Sequence, residues 1–90
     1  MRQKMSWLER DERREAARDG KTALVYLGHV RAALAEARTW APVSHEREQY
    51  WLARAALAEA EALRYVRLAA RHALQASTVR VAGDARPADV

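Results

Sequence analysis

The sequence contains no cysteine, and this absence removes several classes of function. Without cysteine the chain has no disulfide bond, no thiolate ligand for zinc and no cysteine nucleophile. A metal ion would have to be held by histidine and carboxylate side chains, and their spacing does not match the Glu-x-x-His pattern of bundle-core metal sites. We therefore predict no metal, no cofactor and no catalytic residue.

Large apolar residues and long apolar runs are also scarce. The chain has no phenylalanine and no isoleucine, whereas 21 of its 90 residues are alanine. No window approaches the roughly 18 uncharged apolar residues that span a membrane, and no apolar stretch follows the basic N-terminal residues as in a signal peptide. We expect a soluble, cytoplasmic protein with no membrane partner.

The net charge of +4 is spread thinly along the chain. Residues 1–21 contribute +2, residues 22–44 and 45–76 contribute +1 each, and the last fourteen residues carry no net charge. A concentrated basic patch is the usual electrostatic footprint of a nucleic-acid-binding protein. Because the charge is spread thinly, nucleic acid is an alternative partner and not the partner that we expect first.

The residues that are abundant favour helix. Alanine, leucine, arginine and glutamate head the helix-propensity scale, so the fold class predicted is all-α. Asp19-Gly20 is a plausible stop or kink after a first helix with almost no apolar face. We accordingly divide the chain into a charged N-terminal segment or short helix (1–21), a helical hairpin (22–76) and a disordered C-terminal tail (77–90).

A heptad pattern begins at Ala23. Apolar residues recur from there at alternating spacings of four and three, which is typical of a helix that packs along one seam. The pattern predicts a helix over about 22–39. Its predicted seam consists of Ala23, Leu27, Val30, Leu34 and Ala37.

Pro42 marks the clearest break in the chain. Proline lacks the N–H that a helix needs, and it disfavours a helical residue before it. Ser44 is then a good N-cap for a second long helix over about 45–76. Two helices on either side of a short turn form an antiparallel hairpin.

The second long helix is apolar on more than one face, which a single neighbouring helix does not cover. We therefore predict dimerisation of the hairpin into a four-helix bundle, or docking on another protein. The function expected is that of a non-enzymatic interaction or assembly module. One predicted stripe consists of Leu52, Ala56, Leu63, Val66, Ala70 and Leu74, and the second of Tyr50, Leu57 and Leu68.

Two alternatives rest on the same helix. Arg64, Arg67 and Arg71 form a basic stripe that could follow a nucleic-acid backbone. In addition, the segment RLAARH has an Arg-x4-His pattern at Arg67 and His72. This pattern resembles the ribonuclease signature of the HEPN superfamily, whose members are small helical-bundle dimers in which the Arg and His of the last helix meet across the dimer. Leu68 stands where that family usually has a polar residue. The resemblance implies RNA cleavage, with His72 as acid or base and Arg67 stabilising the phosphate.

Overall fold

The computed structural model describes residues 7–84, which form two long helices. Helix α1 spans Trp7–Trp40 and helix α2 spans His45–Asp84, and the two pack against each other as an antiparallel hairpin. Residues 7–84 contain no strand. The all-α hairpin predicted from the sequence is therefore confirmed.

Helix α1 is longer at its N-terminal end than the sequence pattern predicted. It runs without interruption through Asp19 and Gly20, so the predicted stop is wrong. A glycine inside a helix costs about 1 kcal/mol relative to alanine, which strong helix formers on either side can offset. Side-chain ion pairs one turn apart support this stretch, with Arg13 paired to Glu9 at 3.1 Å, and similarly Arg18 to Glu15.

Helix α2 also extends beyond its predicted end. Residues 77–84, predicted as part of a disordered tail, continue the helix, whereas residues 85–90 of that tail lie outside the described part of the chain. The extension has a physical reason in the longer first helix. Because α1 begins at Trp7, the end of α2 has a neighbour to pack against, and Ala76 is buried there.

The turn between the helices follows the sequence prediction closely. Ala41, Pro42 and Val43 lie between the helices, and Ser44 accepts a hydrogen bond from the backbone N–H of Arg47 through its Oγ at 3.2 Å. This contact satisfies one of the free N–H groups at the start of α2, as expected of an N-cap. The guanidinium of Arg47 also lies 4.5 Å from the ring centre of Trp40, which ties the two helix ends together.

The two helices meet along a seam in which alanine is the most frequent residue. Seam residues follow alternating spacings of three and four, which keeps them on one side of each helix. Every apolar residue that is buried in the described chain is an alanine. The seam consists of residues 9, 12, 16, 19, 23, 26, 30, 33, 37 and 40 of α1, and residues 48, 51, 55, 58, 62, 65, 69, 72, 76 and 79 of α2.

The hairpin is a thin rod of 73 × 16 × 13 Å. Its radius of gyration is 20.5 Å, whereas a compact chain of this length has about 12 Å. Its accessible surface is 7107 Å², about a third more than the roughly 5,300 Å² expected of a compact monomer of this mass. A single hairpin therefore leaves most of its larger apolar side chains outside its core.

Candidate functional site

Five of the nine leucines lie on one broad face of the hairpin. A helix turns by 100° per residue, so the residue directly after each seam residue projects to one side of the seam. In a pair of antiparallel helices, the residues directly after the seam residues of one helix project to the same side of the pair as those of the other helix. We call this side the leucine face; its large apolar residues are Leu24, Leu27 and Leu34 of α1, and Leu52, Leu63 and Val66 of α2.

These six side chains are between 37% and 67% exposed in the single chain. Small residues lie between them, among them Gly20, Ala56, Ala70 and Ala73, so the surface is apolar and shallow. Over residues 17–34 of α1 and 52–73 of α2, the only ionisable residues on this face are Arg31 and Glu59. Both are exposed, and within the described residues neither forms an ion pair.

The opposite face of the hairpin is polar. It consists of the positions directly before each seam residue, and we call it the charged face. Alongside Val25, Tyr50, Leu57 and Leu68 it carries many ionisable residues over residues 15–36 of α1 and 50–71 of α2, so the two broad faces differ in character. These ionisable residues are Glu15, Arg18, His29, Glu36, Arg54, Glu61, Arg64 and Arg71.

The residues predicted as an interface fall into four environments. Ala23, Val30 and Ala37 lie in the seam between α1 and α2. Leu27 and Leu34 lie on the leucine face together with Leu52, Ala56, Leu63, Val66 and Ala70. Tyr50, Leu57 and Leu68 lie on the charged face, and Leu74 lies on the outer side of α2, so the structure does not bring these four to the leucine face.

Sequence reasoning missed the face of α2 that packs against α1. That face is a row of alanines at intervals of seven residues, from Ala55 through Ala62 and Ala69 to Ala76. Neither of the two stripes predicted on this helix packs there. The regular alanine spacing was the available signal, because small side chains at one heptad position let antiparallel helices approach closely.

A group of ionisable residues occupies the seam near the open end of the hairpin. His72 of α2 lies between three carboxylates of α1: its Nδ1 is 3.0 Å from both oxygens of Glu12, and its Nε2 is 3.7 Å from Oδ2 of Asp19. Glu15 completes the group. The side chains of His72, Glu12 and Asp19 are only 26%, 16% and 13% exposed.

The surroundings of His72 favour its charged form. The hydrogen bond to Glu12 raises the pKa of His72 above 6.5, partial desolvation opposes this, and the negative charges of Glu12, Asp19 and Glu15 add to the rise. An ionised carboxylate only accepts hydrogen bonds, so Nδ1 of His72 carries a hydrogen and donates it to Glu12. These residues fix the orientation of the imidazole ring across the hairpin.

Within the single chain, the two residues of the ribonuclease-like pattern lie on different sides of α2. His72 lies in the seam and contacts Glu12, whereas Arg67 is exposed on the outer side of α2. Of the basic stripe, Arg64 and Arg71 lie on the charged face, and Arg64 is 3.8 Å from Glu61.

Comparison of the chain with protein-family models, with curated proteins and with solved structures finds no match in any of the three. Within residues 7–84, neither helix is long and apolar enough to cross a membrane. The function must therefore be argued from the surface of the hairpin itself.

Proposed function

We propose that this protein is a helical assembly module that pairs with a second copy of itself through the leucine face, forming a four-helix bundle. The observation that carries this proposal is the distribution of side-chain size: the buried apolar residues of the described chain are all alanines of the seam, and five of the nine leucines lie outside the seam on one face. A face of this kind, apolar along two neighbouring helices, is the surface that two hairpins bury when they form a bundle.

The shape of the chain supports a second copy as the occupant. Two rods of 73 × 16 × 13 Å stacked face to face form a thicker, more compact body, which reduces the excess of exposed surface per chain. The leucine face also extends over both helices, so two flat faces of the same kind match in length and width. A short peptide or a single helix would cover only part of this surface.

The leucine face carries charges of both signs, so it is electrostatically complementary to the same face of a second copy. Arg31 and Glu59 carry opposite charges on the same face, and a second copy presents the same pair in return. A two-fold dimer uses the same patch on both subunits, so a patch that carries both signs avoids like-charge repulsion more easily than a patch of one sign. We expect Arg31 of one copy to lie near Glu59 of the other.

Burial of the leucine face contributes a free energy of the size that pairing requires. Burying a leucine or valine completely contributes about 1.5–3 kcal/mol, so burying the remaining exposed part contributes on the order of 1 kcal/mol per side chain. Six such residues in each copy provide twelve contributions. Their sum is of the same order as the cost of association, about 4–15 kcal/mol for lost translational and rotational freedom.

The proposal is tested with two matched substitutions on α2. Leu63→Lys places a charge on the leucine face, whereas Leu57→Lys makes the same change on the charged face, at a residue that is more exposed (67% against 48%). Sedimentation of the full chain should show a monomer for Leu63→Lys and an unchanged dimer for Leu57→Lys. Circular dichroism should show the same helix content for both, which separates dissociation from unfolding.

Several outcomes would overturn the proposal. A wild-type chain that stays monomeric, or a dimer that is lost in Leu57→Lys and kept in Leu63→Lys, contradicts pairing through the leucine face. If Leu63→Lys unfolds, Leu27→Lys on α1 provides the same test from the other helix. A wild-type monomer that binds a different protein through this face would place the module in a heteromeric assembly instead.

The second candidate function is binding of nucleic acid through Arg64, Arg67 and Arg71. The observation in its favour is that all three side chains are exposed on α2. Such binding weakens steeply with salt because phosphate contacts release counterions. Replacing Arg67 and Arg71 by Gln should then abolish salt-dependent retention on DNA or RNA, and a wild-type chain that is not retained at low salt rules it out.

A further inference from the structure

The ionisable group at the open end of the hairpin differs from the rest of the seam. Further along the rod, alanines and aromatic residues fill most seam positions, whereas Glu12, Asp19 and His72 occupy this part. Placing charged groups where two helices meet is costly unless they are paired with each other or with a metal ion. Several carboxylates surround a single imidazole here, so the group carries excess negative charge.

We propose that Glu15, Asp19 and His72 form a binding site for one divalent ion of the zinc class, with Glu12 as the residue that positions His72. One oxygen of Glu15, one oxygen of Asp19 and one ring nitrogen of His72 already lie within 4.8 Å of one another. In a tetrahedral zinc site, with bonds of about 2.0–2.2 Å, neighbouring ligand atoms are roughly 3.3–3.6 Å apart. Binding of the ion therefore requires the carboxylate side chains to move closer to His72.

The role of Glu12 is the observation that distinguishes this group from an ordinary acidic surface. Its carboxylate holds Nδ1–H of His72, which leaves Nε2 directed toward Asp19. Histidines that bind metal ions generally donate their other ring N–H to a carboxylate or carbonyl in this way, which fixes the ring and makes the free nitrogen more basic. Helix α1 therefore supplies the positioning residue Glu12 and two of the three ligands, and α2 supplies His72.

The remaining contacts of the group are compatible with a bound ion. Glu15 uses Oε2 to contact Arg18 at 3.1 Å, so its Oε1 remains available as a ligand. Residues 15 and 19 are one helical turn apart, which places both carboxylates on the same side of α1. Three protein ligands leave a fourth position for water.

The chemistry of the donor atoms selects the kind of ion. Imidazole nitrogen with carboxylate oxygens suits Zn²⁺ and related transition metals, whereas Mg²⁺ prefers oxygen ligands alone. Binding replaces the proton on Nε2 of a charged His72 by the metal ion, and this proton is released to solvent. The ion would link α1 to α2 within one chain, so the site does not depend on whether the hairpins pair.

The test is calorimetric titration of ZnCl₂ into the full chain after treatment with a chelator and its removal. We expect saturation at one ion per chain, with binding lost in His72→Ala and in Asp19→Asn. Glu12→Ala should weaken binding by about 10- to 100-fold, the usual effect of removing a residue that orients a ligand. His45→Ala is the matched control, because His45 also lies beside a carboxylate, 3.5 Å from Glu48, but is exposed.

Nuclear magnetic resonance of the wild-type imidazoles provides a second readout that needs no variant. Zinc should shift the Nε2 resonance of His72 and leave those of His29 and His45 unchanged. The proposal is overturned by absence of saturable binding, by an affinity that His72→Ala does not change, or by Mg²⁺ binding as tightly as Zn²⁺. Loss of binding in His45→Ala would also contradict it.

Discussion

The phenol rings of Tyr26 and Tyr65 stack across the seam, with ring centres 5.8 Å apart and planes 9° from parallel. Both residues are half-buried, and their neighbours in the seam are mostly alanines. The stack therefore supplies apolar contact between α1 and α2 where the surrounding side chains are small. Because the stack lies in the middle of the rod, the strength of the contact between the two rings depends on how closely the helices approach each other there.

A double-mutant cycle on Tyr26→Ala and Tyr65→Ala should detect this contact. Stacked aromatic pairs contribute about 0.5–1.5 kcal/mol beyond their buried area, so we expect a coupling energy in this range. The measurement is urea unfolding of the wild type, both single variants and the double variant at one protein concentration. Strictly additive changes in the free energy of unfolding would show that the rings do not interact.

The stability of the metal-free hairpin should depend on the protonation of His72. The folded state raises the pKa of this imidazole above its unfolded value of 6.5 through Glu12, with Asp19 and Glu15 adding to the effect. Above pH 6.5 the folded state then binds more protons than the unfolded state. The stabilisation is complete below 6.5 and is lost as the pH rises through the folded pKa.

Urea unfolding in the presence of a chelator, over a series of pH values from 6.5 upward, measures this loss directly. The free energy of unfolding should fall with rising pH and then level off. In Glu12→Gln the decline should be smaller, because the neutral amide no longer favours the imidazolium. A flat profile in the wild type, or an identical profile in the variant, would contradict the role assigned to Glu12.

Gly28 offers a stabilising substitution. It lies in the interior of α1 on the outer side of the hairpin. Apart from its chain neighbours and the nearby backbone of α1, a Cβ atom built on it meets no atom within 4 Å. Gly28→Ala should raise the free energy of unfolding by about 0.5–1 kcal/mol, because alanine loses less backbone entropy in a helix. A lower melting temperature for this variant would mean that another chain covers the outer side of α1.

Much of the fold could be predicted from local sequence signals. Pro42 and the N-cap Ser44 set the turn, and alanine-rich composition on both sides of it favours helix. The helix ends were harder to predict. Gly20 weakens a helix locally, but continuous packing between α1 and α2 stabilises both helices beyond their predicted ends. Helix α1 therefore continues through Gly20, and α2 continues past Ala76.

The faces of the helices were less predictable because the heptad pattern is ambiguous. On α1, Leu27 and Leu34 sit one residue after the true seam positions Tyr26 and Ala33, and large apolar residues are the ordinary choice for a seam. The buried apolar residues of the seam are alanines instead, so hydrophobicity alone favours the neighbouring stripe. The contact between His72 and Glu12 joins residues sixty positions apart and has no local sequence signal.

The most direct test of the central claim is the mass of the wild-type chain in solution, measured by light scattering over a range of protein concentrations at low and high salt. Pairing through the leucine face predicts twice the chain mass of 10.2 kDa at both salt concentrations, with no nucleic-acid absorbance in the peak. A particle of 10.2 kDa at every concentration would contradict the four-helix bundle. A salt-sensitive particle that carries nucleic acid would contradict it as well and would favour the arginine stripe of α2.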